Sequence, residues 1–303
     1  MPESPIAATP YEVLRVAPSA THDELRAAYR KRLRDTHPDT GGDAASFTSV
    51  QAAWQLVGTT ESRSIYDRGH GQRAESTFTW APRQAPRADS RPRARSYGHP
   101  GGWRRERYLA LMREWIGRGE NPRDPYDPAL VRSAPRELRH ILADALVEES
   151  TARTLSELGI GYTIWHDVAT GQPENKIDHI VLGPTGLFAM LSEDYGSPVR
   201  IKRAELVPPD DPDARPIHDL GARAKVVARA ARVRFSALVI VLPDDELSDD
   251  FSVLGTIRGA TTAVVSQSRL PALLREGIPG ARVVGGTELF DVRTRLQAAI
   301  RFV

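Results

Sequence analysis

Apolar residues recur with a helical period over the first seventy positions and with strand-like runs beyond residue 160. Leu25, Tyr29 and Leu33 fall at i, i+4 and i+8, one face of a helix. Thr21 followed by Glu24 is a capping box at its start, and Pro38 stops it, because proline biases the preceding residue away from helical angles. Before it, Pro10 to Leu25 reads as a short helix, a turn and that cap. After it come a glycine turn, a second amphipathic helix with Phe47, Val50, Trp54 and Val57 on its inner stripe, and a short tail to Gly69.

The pattern then lapses. From His70 to Gly102 the chain is rich in Arg, Pro, Ala, Ser and Gly without periodicity, the composition of a disordered tether. Trp103 to Gly117 carries Tyr108, Leu111, Met112 and Trp115 at helical spacing, an amphipathic helix expected to pack on the next domain. An irregular bridge with three prolines (Asn121 to Pro128) leads to a long helix from Pro135 that stops at Gly159. Strands are expected over Gly161–Val168, Asn175–Gly183 and Leu187–Ser192, a helix over Asp219–Val233, and a strand over Phe235–Pro243. An acidic loop, a strand at residues 259–266 and two closing helices follow. The near-continuous apolar run Ala237–Leu242 suits a strand covered on both faces. The implied divisions are residues 8–69, an all-α helical hairpin; 70–102, the tether; 103–134, a helix and bridge; and 135–303, an α/β domain with a mixed central sheet flanked by helices.

Composition narrows the classes. The 303 residues suffice for two domains. There is no cysteine, hence no disulfide framework and no thiolate metal site. No apolar run reaches the ~18 residues of a membrane helix, and the N-terminus lacks the basic and apolar regions of a secretory signal, so the expectation is a soluble cytoplasmic protein without membrane contact. Residues 1–132 hold 21 Lys and Arg against 16 Asp and Glu, whereas the remainder holds 20 against 23, a net −3. Basic character therefore belongs to the N-terminal part. Arginine outnumbers lysine 37 to 4, which points to genomic base composition as much as to phosphate binding.

On the Thr21–Thr36 helix, Arg26, Arg30 and Arg34 repeat on a face beside the apolar one, with Lys31 and Arg32 next to them, and the helix runs into His37-Pro38-Asp39. With Tyr11, Leu14, Leu25, Ala28, Tyr29, Phe47, Ala53 and the closing Tyr66-Asp67, residues 8–69 resemble a J domain, the module of DnaJ-type co-chaperones. The resemblance implies a DnaK-type chaperone as partner, docking through Arg26, Arg30, Lys31 and Arg34, and a His37-Pro38-Asp39 loop that triggers the partner's ATP hydrolysis. The chain has no GxxxxGK[ST] phosphate loop of its own, and it lacks the CxxC repeats and Gly/Phe-rich linker of a full DnaJ. Thr36 stands where the family often has an aromatic residue, and Asp35 where a basic one is common.

The order helix, hairpin, strand, helix, strand is that of the PD-(D/E)xK nuclease superfamily. Glu148-Glu149-Ser150, Ile177-Asp178-His179 and Gly183-Pro184-Thr185-Gly186 resemble its NERD (nuclease-related) branch. That resemblance implies a site built from a helix glutamate, the aspartate of the IDH motif and an acidic-x-Lys pair ending the third strand, with Mg²⁺ held by the carboxylates. Glu148 and Asp178 match the first two, but the pair falls on Leu191 and Glu193, and neither is the residue type required. Lys176, on the same strand face as Asp178, and Glu193 could substitute; otherwise Lys176 is an edge charge and Glu193 is solvated. The favoured expectation is a silent nuclease-like domain that needs no cofactor and selects a client protein. The alternative is a metal-dependent DNA nuclease using Glu148, Asp178, Lys176 and Glu193, with Glu148 and Asp178 as the metal ligands. Nucleic-acid binding through the arginine-rich tether is a third reading. His179 is expected to be a hydrogen-bonded structural residue.

Overall fold

The computed structural model describes residues 6–37, 44–71, 92–117, 124–209 and 211–303. They form two compact units, one within residues 7–88 and one holding the described residues from 92 onward.

The first unit is helical: α1 (Pro10–Leu14), α2 (His22–Asp35), α3 (Ala44–Val57) and α4 (Thr60–Gly71). α1 and α2 both open with capping boxes, Thr9 with Glu12 and Thr21 with Glu24. Each satisfies two N–H groups that a helix start leaves unpaired, and removing such a cap costs about 1 kcal/mol. Leu25 is fully buried among Leu14, Val50 and Val57, with Tyr29 and Leu33 half-buried against them. The Tyr29 ring stacks on Trp54 at 4.3 Å. α2 ends at Asp35, short of the proline. Buried Thr36 caps it, its hydroxyl donating to the Arg32 carbonyl at 2.8 Å, and this is the use made of the position where an aromatic residue was expected. α4 is tied back to α1 because the Tyr11 hydroxyl donates to Asp67 (2.6 Å) and accepts from Arg63 (3.1 Å).

The second unit begins with strand β1 (Arg95–Tyr97) and helices α5 (Gly102–Ile116), α6 (Pro128–Ser133) and α7 (Arg136–Ser156). There follow β2 (Thr163–Val168), β3 (Ile177–Gly183), β4 (Gly186–Ser192), the small hairpin β5 (Arg200–Lys202) and β6 (Glu205–Val207), and α8 (Pro216–Ala231). The chain closes with β7 (Ala237–Leu242), β8 (Phe251–Ile257), β9 (Ala260–Ser266), α9 (Leu270–Glu276) and α10 (Thr287–Ala299). Seven strands make one mixed sheet in the order β1-β2-β3-β4-β7-β9-β8. β2, β3 and β4 are antiparallel, whereas β4, β7 and β9 run parallel. Alternate strand residues sort onto two faces. Ala189, Leu191, Leu238 and Ile240 meet Ile217, Leu220 and Ala224 of α8 and Leu296 of α10. Phe188, Met190, Val239 and Val241 meet Leu155 of α7 and Leu270 and Leu273 of α9. Every residue of Ala237–Leu242 is buried, as a strand covered on both faces requires.

Three expectations are corrected. The segment after the acidic loop is a full strand, β8: a register shift between Val253 and Gly255 breaks its alternation, which hid the period of two. The end of the tether is ordered, since Arg95–Tyr97 pairs in parallel with β2 and the Ala94 and Arg95 N–H groups donate to Ser156 and Tyr162. The β5–β6 hairpin has too few residues to show a pattern. Residues 72–91 of the tether lie outside the described residues.

Leu25→Ala is expected to remove about 2–5 kcal/mol from the helical unit, read by hydrogen exchange as lost amide protection in α2 and α3. Unchanged protection would mean that Leu25 is not its core.

Candidate functional site

Two sets of side chains carry chemistry, one in each unit. In the α/β unit, Glu148 on α7, Asp178 on β3 and Asp167 on β2 converge on Lys176, which immediately precedes β3. The Lys176 Nζ lies 2.7 Å and 2.8 Å from the Glu148 oxygens, 2.6 Å from Asp178 Oδ1 and 2.5 Å from Asp167 Oδ1. Lys176 is only 1 % exposed, and Glu148 and Asp178 not at all. The edge-charge expectation for Lys176 is therefore wrong: two-residue spacing puts it on the Asp178 face, and α7 covers that face. An ammonium has three protons; its hydrogen bonds here go to Glu148 and Asp178, and Asp167 adds a third carboxylate at ion-pair distance without a hydrogen bond. Its carbonyl is also held, accepting from Arg223 Nη1 of α8 at 3.0 Å.

A second cation closes the cluster. Arg104, near the start of α5, lies 2.5 Å from Asp144, 3.5 Å from Glu148, 3.6 Å from Asp178 and 3.5 Å from Glu193. α5 can approach α7 this closely because Gly101, its N-cap, has φ +72°, and a Cβ there would stand 3.1 Å from the Ala145 carbonyl. The next residue, Arg105, grips Glu149 through two bonds of 2.6 and 2.9 Å. Glu193 is thus half-buried and held by Arg104, which corrects its expected solvated state. Leu191, where a metal-binding acid was expected, is buried in the core beside α8.

The charges settle unequally. Burial opposes the Asp178 charge, but Lys176 and Arg104 outweigh it and hold the carboxyl below its ordinary range. For Glu148 burial and the neighbouring Asp178 win, and its carboxyl is pushed well up. Burial works against the Lys176 ammonium, yet Asp178 and Glu148 keep its pKa above the usual lysine value. Burial, then Asp144, pushes Glu193 up to about 7. Behind the cluster, His166 and His179 share a proton between their Nδ1 atoms at 2.8 Å, and Ser96 Oγ lies 2.7 Å from His166 Nε2. Burial pushes His166 down to about 4 and His179 well down, so both rings are neutral and His179 is hydrogen-bonded, as expected.

A divalent cation does not fit this arrangement. Lys176 Nζ sits at the point between Glu148 and Asp178 that the ion would need, and the remaining Asp178 oxygen accepts the Ser192 N–H at 2.8 Å. The four residues named for a nuclease site are brought together, with Arg104, Asp144 and Asp167 added. Asp144 is four residues before Glu148, a helical spacing that places both on one face and could have been noticed. Asp167 has φ +51°, a strained conformation for a residue with a side chain, and nothing in the sequence marks it.

The other set lies on α2. Arg26, Arg30, Lys31 and Arg34 are all exposed, on the side of the helix away from Leu25. Arg32 departs from the expected basic face: it is half-buried, and its Nε donates to the Val13 carbonyl at 3.3 Å. His37, just after the helix, sets its ring edge-on to Phe47 of α3 at 5.0 Å. Pro38 and Asp39 lie outside the described residues.

The family model for the DnaJ domain matches residues 9–67. This unit is a J domain. Over 58 residues the chain is 45 % identical to Chaperone protein dnaJ A6 of Oryza sativa subsp. japonica and 41 % identical to a DnaJ protein homolog of Cucumis sativus, which is 19 % of this chain and 14 % of each relative. Over 65 residues it is 43 % identical to Chaperone protein DnaJ of Bordetella petrii, 20 % of this chain and 17 % of that one. The chain thus spans only about a sixth or less of these relatives' length, and the match is confined to the J domain. No helix among the described residues is long and apolar enough to cross a membrane.

Lys176→Met strands buried carboxylates and is expected to destabilise the α/β unit by about 3–5 kcal/mol; an edge lysine would give a change within about 0.5 kcal/mol in urea unfolding. Glu193 has its folded pKa raised from 4.5 to about 7, so its contribution is complete below pH 4.5 and lost as pH rises through 7. Wild-type stability should accordingly fall between pH 5 and pH 8 relative to Glu193→Gln. Parallel pH profiles would remove this assignment.

Proposed function

We propose that the chain is a co-chaperone of a cytoplasmic DnaK-type chaperone, raising its ATP hydrolysis through the J domain. The observation that carries this is α2 itself: one face is locked into the core by Leu25, and the other presents Arg26, Arg30, Lys31 and Arg34 at the exposed surface, where an acidic surface could meet them. Opposite charges steer encounter and set register. His37, Pro38 and Asp39 then act on the partner's two-state coupling between ATP hydrolysis and client binding. The edge-on packing of His37 on Phe47 gives His37 a defined place after α2 and supports this reading.

For the α/β unit we propose a NERD-like, PD-(D/E)xK-derived fold whose centre is chemically silent and which recruits a client protein. Its support is the saturation of Glu148 and Asp178 by Lys176 in a place a phosphodiester cannot reach. The convergence of Glu148, Asp178 and Lys176 is also what favours the nuclease alternative, so both arms are measured. Purified chain should stimulate ATP turnover by a DnaK-type chaperone, and His37→Gln should abolish the stimulation. Arg26→Glu with Arg30→Glu should weaken binding by at least about tenfold. Equal stimulation by wild type and His37→Gln refutes the co-chaperone reading. DNA cleavage with Mg²⁺ or Mn²⁺ that Asp178→Ala abolishes would replace the silent domain with an enzyme.

A further inference from the structure

Between α8, β7 and the β8–β9 turn lies a concavity of about 260 Å³. Its floor is apolar, made by Ala224, Ala228, Phe235, Leu238 and Ile257. Gly221 lets the end of β8 close against the helix, since a Cβ there would meet Ile257 at 3.1 Å. The rim is cationic: Lys225, Arg234, Arg258 and Arg282 arrive from four separate stretches of chain. Among the described residues, no acidic, amide or hydroxyl side chain lines the space. Arg282 is paired with Glu288, but Lys225, Arg234 and Arg258 have no ion-pair or hydrogen-bond partner among the described residues. Like charges crowd here: Arg258 on the rim, and then Arg229 on α8, push the Lys225 amine below its ordinary value. This happens in a part of the chain that is acidic overall, at net −3. Unrelieved cations around an apolar floor lower their energy by binding an anion that also buries a tail.

We propose that this concavity binds a small anionic amphiphile, a monocarboxylate with a medium-length acyl tail. Size and chemistry select it. At about 260 Å³ the space lies near the lower end of ligand pockets, which start at about 300 Å³, so it takes a small ligand whose head group stays at the rim. The lining side chains offer donors but no acceptor for the N–H groups of a base or the O–H groups of a sugar, whereas arginine presents a fork that matches a carboxylate. The tail lies on Phe235, Leu238 and Ile257, and the carboxylate meets Lys225, Arg234 and Arg258.

Isothermal titration of the full chain with octanoate tests this, with octanol and inorganic phosphate in parallel. Octanoate should bind saturably at one site, more tightly than either control, and weaken as salt rises. Lys225→Ala with Arg258→Ala, both on the rim, should reduce affinity by at least about tenfold. Ala228→Trp should abolish binding by filling the space; if that variant does not fold, the rim variant decides. Arg153→Ala, an exposed cation elsewhere in the unit, should bind as wild type does. The proposal is overturned if octanol or phosphate binds as well as octanoate, if octanoate does not saturate, or if the rim variant retains wild-type affinity.

Discussion

One buried ammonium, that of Lys176, stands among three carboxylates, and the electrostatics of the α/β unit follow from that grouping. Glu148, Asp178 and Asp167 come from a helix and two strands, and each would be costly to bury as an unpaired charge. The lysine makes their burial tolerable, and in doing so holds α7, β2 and β3 at one point. Arg104 adds a second cation from α5, so the helix that precedes the α/β core is bound to it by charge as well as by Tyr108 and Met112. Such a centre is weak as a source of net stability but severe when one member is removed.

The same geometry decides what the centre can do. A catalytic carboxylate needs free lone pairs and access to its substrate. Here both oxygens of Glu148 and both of Asp178 accept hydrogen bonds from within the protein, and neither residue reaches solvent. Leu191 of β4 lies in the apolar core. The constellation therefore resembles a metal site in residue type while working as a buried ion network.

The J domain divides its labour differently. α2 keeps its charged and apolar positions on separate faces, so the residues that hold the fold are not those exposed at the surface. Arg32 shows how sharp the division is: one step from Lys31, it turns inward to the Val13 carbonyl of α1. Thr36 ends the helix by local hydrogen bonding, which needs no aromatic residue at that place. In the α/β unit the unpaired cations beside α8 gather on the other side of the sheet's apolar layer, far removed in kind from the acid-rich centre.

Periodicity and capping residues sufficed for α2, α3, α7, α8 and the strands β2, β3, β4 and β7, because each is long enough to repeat its pattern and each has a strong local start or stop. His37-Pro38-Asp39 and the arginine spacing were equally visible, since a helix face depends only on neighbours within a few turns. β8 was hidden by a bulge, β1 and the β5–β6 hairpin by their length. The state of Lys176 was not visible at all: strand alternation placed it beside Asp178, but whether that face met water or α7 depended on how a helix twenty-eight residues earlier packs against the sheet. Arg104, Asp167 and the cationic rim share that dependence. Local sequence determines which face a side chain occupies, and only the packing of distant elements decides what the face meets.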